Sequence, residues 1–195
     1  MKIIQVFIVS LVLLSCNDTG LSVIEGNPAG PIIPLQIGNT WIYEFSQYDT
    51  LGTLISAVYD TVALAIDTVL DNRVWFFWAQ PEMYIANYSD GAWIRSLEIG
   101  FSLYPSLMYK YPAEVGDLWT FDGFSTFHMQ LTSINEVTEV PAGRFSCHVY
   151  DFGSTTGVVH IVPGIGMVFS EMFNFVPSGK SYRYVHRLLS YSLQS

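Results

Sequence analysis

Apolar and polar residues alternate along most of the chain from Trp41 onward, and clusters of Gly, Pro, Asn and Asp separate the alternating stretches. An alternation with a period of two places successive side chains on opposite faces of an extended strand, so it predicts β-strands joined by turns. Residues 42–48 and 127–132 are clear examples. Past residue 16 no stretch keeps a helical period over three turns, although residues 98–110 are ambiguous and could include a short helix.

A long second strand is predicted after the turn at residues 49–52. One face of this strand is expected to hold every second residue: Val58, Asp60, Val62, Leu64 and Ile66.

One ten-residue pattern occurs twice, as PLQIGNTWIY at residues 34–43 and as PAEVGDLWTF at residues 112–121. In each copy a Gly-Asn or Gly-Asp step, which tolerates positive φ, precedes a Trp with an aromatic residue two positions later. Each copy therefore predicts a turn that leads into a strand with both rings on one face. We expect one all-β antiparallel domain at 34–195 with two related halves, about 34–110 and 111–195, that form a curved sheet, a half-barrel or a sandwich.

The two halves differ in the spacing of their later turns. The first motif recurs after 78 positions, whereas the turn before Val74 resembles the turn before Phe145 after 71 positions. This difference predicts about seven extra residues in the first hairpin of the first half.

The first fifteen residues have the pattern of a secretory signal peptide. Lys2 supplies a positive charge, and the apolar run that follows is too short to span a bilayer. Its end, LLSC at residues 13–16, resembles a bacterial lipobox, which implies cleavage before Cys16 and acylation of this cysteine by diacylglycerol and an N-acyl chain such as palmitate. The alternative is an ordinary secretory signal with an unrelated cysteine. Residues 16–33, rich in Gly and Pro, are predicted to form a lipidated flexible tether.

The charge of the chain restricts its partners. Without Lys2, seven Lys and Arg face seventeen Asp and Glu, so the mature chain has a formal charge of −10. Nucleic acid is therefore not expected as a partner, and the membrane is expected to be contacted through the lipid anchor alone. We expect an outer-membrane lipoprotein of a bacterial cell envelope, on the periplasmic or the surface face.

Candidate catalytic chemistry is sparse. The four histidines show no i, i+2 or i, i+4 spacing, so no metal and no cofactor is expected. No serine lies in a nucleophile elbow, and Cys147 alternates with Phe145 and Val149, which predicts a small core residue rather than a nucleophile. The chain is therefore expected not to be an enzyme, with a hydrolase site assembled from distant residues as an alternative.

Aromatic residues are the stronger candidates for ligand binding. In the run at residues 74–78, Trp75 and Trp78 point to opposite faces of the strand, so one of them is expected to lie outside the main core or in a second packed layer. Trp75, Trp78 and Trp93 are thus candidates for a platform that binds a sugar or an apolar ligand, with core packing as the alternative. His148 and Tyr150 are two positions apart on a predicted strand of the second half, so they share a face of that strand and are added as candidates.

Three stretches together resemble a broad group of uncharacterised bacterial lipoproteins: residues 34–43, 140–147 and 162–168. That group has a PLxVGNxWxY opening, a VPAGxFxC hairpin and a PGVGxV closing strand. The resemblance implies a secreted β-rich domain, loosely similar to the curved sheet of periplasmic lipoprotein carriers, and it brings no catalytic residue. We therefore expect a non-enzymatic envelope lipoprotein that binds an apolar or glycan ligand or an envelope partner, with carbohydrate binding through exposed tryptophans as an alternative.

Overall fold

The computed structural model of the protein describes residues 22–79, 82–96, 105–122, 126–153, 157–175 and 181–194. Regular structure in these ranges consists of fourteen β-strands, with no α-helix, which confirms the prediction of an all-β fold. Accordingly, the described ranges contain no helix with the length and hydropathy needed to cross a membrane. The strands are β1 (Val23–Ile24), β2 (Thr40–Tyr48), β3 (Leu54–Ala63), β4 (Asp67–Leu70), β5 (Arg73–Ala79), β6 (Glu82–Tyr88), β7 (Gly91–Ser96), β8 (Ser106–Lys110), β9 (Leu118–Asp122), β10 (Thr126–Val140), β11 (Gly143–Asp151), β12 (Gly157–Val162), β13 (Gly166–Phe175) and β14 (Ser181–Ser192).

The strands form two open antiparallel sheets. Sheet A has the order β3-β2-β14-β13-β12-β11-β10-β9, and sheet B has the order β4-β5-β6-β7-β8. The short strand β1 lies beside β11 and is the one strand with a parallel neighbour in the described part of the chain. Because β14 pairs with β2, the last strand of the chain closes against the first long one. Neither sheet pairs its two terminal strands with each other, so both remain open.

The two copies of the repeated motif form matching turns. Gly38 and Gly116 have φ of 93° and 99°, which few residues other than glycine adopt. The amide of Gly38 donates to Leu64 O, and the amide of Gly116 donates to Leu131 O, each at 2.8 Å. Both turns thus lead into a strand, β2 or β9, with the same hydrogen bonds. That the halves 34–110 and 111–195 are pseudo-repeats stays a prediction, and these turns support it.

The spacing of the two turns shows where the halves differ. Leu64 follows Gly38 by 26 residues, whereas Leu131 follows Gly116 by 15, so the first hairpin is longer by eleven residues. In the segment that follows, up to the next turn at Gly143, the second half is the longer one by four residues. The first half therefore has a net excess of seven residues, as predicted.

The core consists of two clusters of buried apolar residues. One cluster joins sheet B, through Ile85 and Ile94, to sheet A, through Leu131, Val159 and Ile161. A second cluster is built around Trp41 and includes further residues of sheet A: Tyr43, Phe145, Cys147 and Leu188. Burial of each large apolar side chain contributes about 1.5–3 kcal/mol, so these clusters hold the two sheets together.

Residues 22–33 correct the predicted extent of the tether. β1 pairs with β11 through Val23 and Ile24, and Ile32 and Ile33 are almost fully buried in the core between the sheets. Asn87 Nδ2 donates to Ile33 O at 2.8 Å, which fixes this segment to sheet B. The Gly and Pro content suggested a flexible chain, but the adjacent isoleucines and β1 dock it. The signal peptide, Cys16 and residues up to 21 lie outside the described residues.

The predicted second strand is shorter than expected. β3 ends at Ala63, so Ile66, predicted on the same face of this strand as Val62, lies beyond its end. The backbone of Leu64 still pairs with Gly38 and Asn39, whereas Ile66 O accepts a hydrogen bond from Phe77 N of sheet B, so the chain leaves sheet A between these two residues. In the ambiguous stretch 98–110 the structure has β8, and residues 97–104 lie outside the described ranges.

Candidate functional site

A cavity of about 340 Å³ lies between the two sheets, close to the end strand β3 of sheet A. Its wall is predominantly apolar, and both sheets contribute to it. Ligand sites are typically concave and apolar with a few polar groups, so this cavity is the candidate functional site.

Sheet B supplies a wall of large flexible and aromatic side chains. Trp78 and Met83 are direct partners in the pairing of β5 with β6, and Ile85 lies two residues further along β6, so the strand alternation places all three on the inner face. Met108 and Tyr109 of β8 complete this wall. Methionines adapt their shape to irregular contacts, which suits a surface that packs against an apolar chain.

Sheet A supplies a wall anchored by two hydrogen-bonded rings. Trp41 Nε1 donates to Ile165 O at 2.7 Å, and Tyr43 Oη donates to Met167 O at 2.9 Å. Both donors are thereby satisfied, while the ring of Trp41 stacks on the ring of Trp78 across the gap between the sheets. Burial raises the pKa of Tyr43 far above its usual range, so this hydroxyl stays protonated and keeps its hydrogen bond.

Polar groups gather at one part of the cavity wall: Asp60, Ser170 and His186. Ser170 and His186 face each other across β13 and β14, with Ser170 Oγ 2.9 Å from His186 Nδ1. Burial lowers the pKa of His186, with the negative charge of Asp60 acting weakly in the opposite direction, so the imidazole is neutral at neutral pH. Asp60 is half-buried and lies opposite Tyr43 in the register of β2 and β3.

The charged group of the cavity wall is a carboxylate. Asp60 is the one carboxylate among its described lining residues, and no Lys or Arg is among them. The nearest strands carry arginines that are engaged elsewhere, since Arg187 pairs with Glu44 at 3.2 Å and Arg183 with Glu171 at 3.4 Å.

The three candidate tryptophans do not form one platform. Trp78 faces the cavity, whereas Trp75 and Trp93 lie on the other side of sheet B. Trp75 is fully buried there, and its ring packs edge-on against the ring of Tyr88, with the two ring centroids 5.8 Å apart. Trp93 is half-buried beside the same tyrosine, and its Nε1 donates to Asp90 Oδ1. The alternation predicted from the sequence is thus correct, but it separates the rings.

His148 and Tyr150 also lie away from the cavity lining. Tyr150 is fully buried in the core, where its hydroxyl donates to Lys110 O at 3.0 Å and its ring packs against Tyr109. His148 is half-buried with its ring 5.6 Å from Tyr111, and its buried Nδ1 has no hydrogen-bond partner. Burial lowers the pKa of His148. Tyr150 therefore packs in the core, and His148 is a half-buried ring with one buried nitrogen that has no hydrogen-bond partner.

Catalytic and metal chemistry has little geometric support in the described residues. Ser170 and His186 are a hydroxyl and a base within hydrogen-bond reach, but Asp60 makes no hydrogen bond or ion pair with His186 that would orient it as in a catalytic triad. A second pair of this kind, Thr138 Oγ1 at 2.6 Å from His160 Nδ1, lies outside the cavity lining. No group of three or more His, Cys, Asp or Glu in the described ranges is arranged to hold a metal ion. Cys147 is fully buried in the core, as predicted, and burial raises the pKa of its thiol to about 11.

Sequence reasoning missed most of the residues that line the cavity. Met83, Met108 and Val159 are ordinary strand residues with no motif around them, and Ser170 and His186 are separated from Asp60 by more than 100 positions. The available signal was the aromatic residue pair of the first repeated motif, Trp41 and Tyr43, which lies in the cavity wall.

Comparisons with known proteins give similarity to solved structures but no matching family. No protein-family model matches the chain, and no curated protein matches it. Among solved structures, the chain is similar to a "putative lipoprotein" from Parabacteroides distasonis ATCC 8503, with 14% identity and a TM-score of 0.40 over 84% of this chain and 99% of that chain. It is also similar to a "putative exported protein with YmcC-like fold" from Bacteroides fragilis NCTC 9343, with 14% identity and a TM-score of 0.47 over 84% of this chain and 100% of that chain. At TM-scores below 0.5 neither structure transfers a site or a function to this chain.

Proposed function

We propose that the protein is a non-enzymatic lipoprotein of the bacterial cell envelope whose β domain binds an apolar ligand between its two sheets. The observation that supports this proposal is the cavity of about 340 Å³ with its wall of Trp78, Met83, Ile85 and Met108. An apolar wall of this size is costly to leave in contact with water, and a ligand chain that covers it gains about 25 cal/mol per Å² of apolar surface removed from water.

The proposed location in the cell envelope is supported by the N-terminal sequence. The apolar run and the LLSC stretch predict that Cys16 carries acyl chains, and more than one acyl chain on a protein gives stable anchoring to a bilayer. The domain would then be held near a lipid surface, which is a source of apolar ligands. We place the anchor in the outer membrane, in line with the expectation from the sequence.

Saturation binding of an environment-sensitive apolar dye, N-phenyl-1-naphthylamine, to the full-length chain tests the proposal. Val62→Trp adds an indole ring to the cavity wall, whereas Val69→Trp makes the same change at an exposed position of β4 outside the wall. We expect saturable binding by the wild type and by Val69→Trp, and at least tenfold weaker binding by Val62→Trp. A wild type that does not bind the dye, or three equal affinities, would overturn the proposal.

A second candidate function is glycan binding on the outer face of sheet B. The rings of Trp93 and Tyr88 lie side by side there, with their centroids 5.2 Å apart. The guanidinium of Arg73 lies 3.9 Å from the centre of the Tyr88 ring. Half-exposed rings beside charged groups can stack against a sugar and hydrogen-bond its hydroxyls. Retention on insoluble glycans should then be lost in Trp93→Ala. Equal retention of wild type and variant would remove this candidate.

A further inference from the structure

The charge of the cavity wall carries an inference about the ligand, and it rests on the proposed function. Asp60 contributes a carboxylate to the wall, and the structure gives this carboxylate no salt bridge to any described Lys or Arg. The arginines of the adjacent strand β14, Arg183 and Arg187, are paired with glutamates instead. The negative charge beside the cavity is therefore not neutralised by the protein.

The other polar groups of the wall cannot supply a positive charge. His186 is kept neutral by burial, and its Nδ1 is engaged by the hydroxyl of Ser170. Tyr43 donates its hydroxyl to Met167 O and stays protonated. A carboxylate or phosphate head group placed here would meet Asp60 without any balancing cation, and like charges at close range repel.

The position of Asp60 is suited to a head group rather than to a chain. It lies on β3, the end strand of sheet A, and it is half-buried, so it is accessible both to the cavity and to water. Val62, two residues along the same face of β3, is almost fully buried and lines the cavity. The chemical character of the wall thus changes from charged to apolar over two residues.

We propose that the ligand is a single-chain amphiphile with a cationic head group, such as a long-chain primary ammonium compound. Its apolar chain lies along Trp78, Met83 and Ile85, and its ammonium group lies at Asp60. A partly desolvated opposite charge favours binding of the cation, and it disfavours an anion with the same chain. The cavity is selective for the sign of the head group.

A competition experiment tests this selectivity. Three probes with the same twelve-carbon chain, dodecylamine, dodecan-1-ol and dodecanoate, displace N-phenyl-1-naphthylamine from the full-length chain at concentrations below micelle formation. For the wild type we expect dodecylamine to compete at least tenfold better than dodecan-1-ol, and dodecanoate to compete worst. Asp60→Asn keeps the size of the side chain and should bring the amine and the alcohol within about twofold of each other.

Asp67→Asn is the matched control, because it removes the same charge from an exposed position of β4 outside the cavity wall. It should keep the preference for the amine, which separates the effect of Asp60 from that of the overall negative charge. Dye binding with no preference among the three probes would overturn the inference and leave the proposed function intact. Loss of the preference in Asp67→Asn as well as in Asp60→Asn would also overturn it. Absence of any dye binding by the wild type would overturn both.

Discussion

Trp41 and Trp78 stack in parallel across the gap between the two sheets, with ring centroids 6.4 Å apart and ring planes inclined by 9°. Trp41 belongs to β2 in sheet A, and Trp78 belongs to β5 in sheet B. Such aromatic pairs contribute about 0.5–1.5 kcal/mol beyond the surface that they bury. The contact therefore both joins the sheets and forms part of the wall of the cavity.

The hydrogen bond of Trp41 gives the first prediction. Trp41→Phe keeps an aromatic ring but removes the donor to Ile165 O, so a buried carbonyl loses its partner. We expect the free energy of unfolding to fall by about 1–3 kcal/mol, measured by urea denaturation with far-ultraviolet circular dichroism. Trp93→Phe, at a half-buried position on the outer face, should change it by less than about 0.5 kcal/mol. Equal losses in both variants would contradict a special role for Trp41.

The two matching turns give the second prediction. Gly116→Ala places a side chain on a residue with φ of 99°, and because nothing lies within 4 Å of the added Cβ, the cost is that of the backbone alone. We expect a loss of about 1–2 kcal/mol in the free energy of unfolding. Gly38→Ala should cost at least as much, because its Cβ would also approach the side chain of Gln194 at 3.1 Å.

Glu114→Ala is the control for the turn at Gly116, since Glu114 has an exposed side chain and takes part in the turn through its backbone. It should leave the urea midpoint nearly unchanged. A Gly116→Ala variant as stable as the Glu114→Ala variant would show that the positive φ at this position is not required.

These turns were the part of the fold that could be predicted best, and the reason is local. A Gly-Asn or Gly-Asp step restricts the backbone within a few residues, as Gly38 and Gly116 show, and its effect does not depend on distant partners. The alternation at residues 74–78 was also local, and it correctly separated Trp75 from Trp78. The side of the strand that faces the core is decided by the other sheet, which no local pattern contains.

The docking of residues 22–33 and the cavity could not be predicted for the same reason. Ile32 and Ile33 are buried because sheet B passes over them, and this contact depends on residues more than 50 positions away. Asp60 and His186 meet in one wall because β14 pairs with β2 and β2 with β3. A site assembled by strand order needs the long-range pairings, and these are set by the fold as a whole.

The third prediction concerns the pH dependence of stability. Burial lowers the pKa of His148 in the folded protein, so the unfolded chain binds the proton more readily. The stabilising effect of the neutral imidazole is complete above the unfolded pKa of about 6.5 and is lost as the pH falls through and below that value. His148→Phe keeps a ring beside Tyr111 and removes the titration.

Comparison of the two proteins removes the effect of the other charges, because relief of repulsion among the surplus carboxylates at low pH acts on both. Between pH 7.5 and pH 5.5 the free energy of unfolding should therefore change less favourably for the wild type than for His148→Phe. Parallel pH profiles of the two proteins would be inconsistent with a depressed pKa at His148.

The fourth prediction is that Ser170 is not a catalytic residue. Ser170→Ala removes the partner of Nδ1 on the half-buried ring of His186, and we expect a loss of about 1–3 kcal/mol in the free energy of unfolding. Thr138→Ala is the matched variant, because it removes a hydroxyl from His160 outside the cavity wall, and it should cost a similar amount. Hydrolysis of p-nitrophenyl butyrate should stay at the background rate in the wild type and in both variants. Wild-type hydrolysis that disappears in Ser170→Ala and persists in Thr138→Ala would identify an esterase instead.

The most direct test of the account is to locate the apolar ligand relative to the tryptophans. Quenching of tryptophan fluorescence by 12-bromododecan-1-ol requires close approach of the bromine to an indole ring, and Trp78 lines the cavity whereas Trp93 lies on the outer face of sheet B. We expect saturable quenching in the wild type, a clear reduction of the quenched fraction in Trp78→Phe, and no reduction in Trp93→Phe. Quenching that is lost in Trp93→Phe and retained in Trp78→Phe would contradict binding between the sheets.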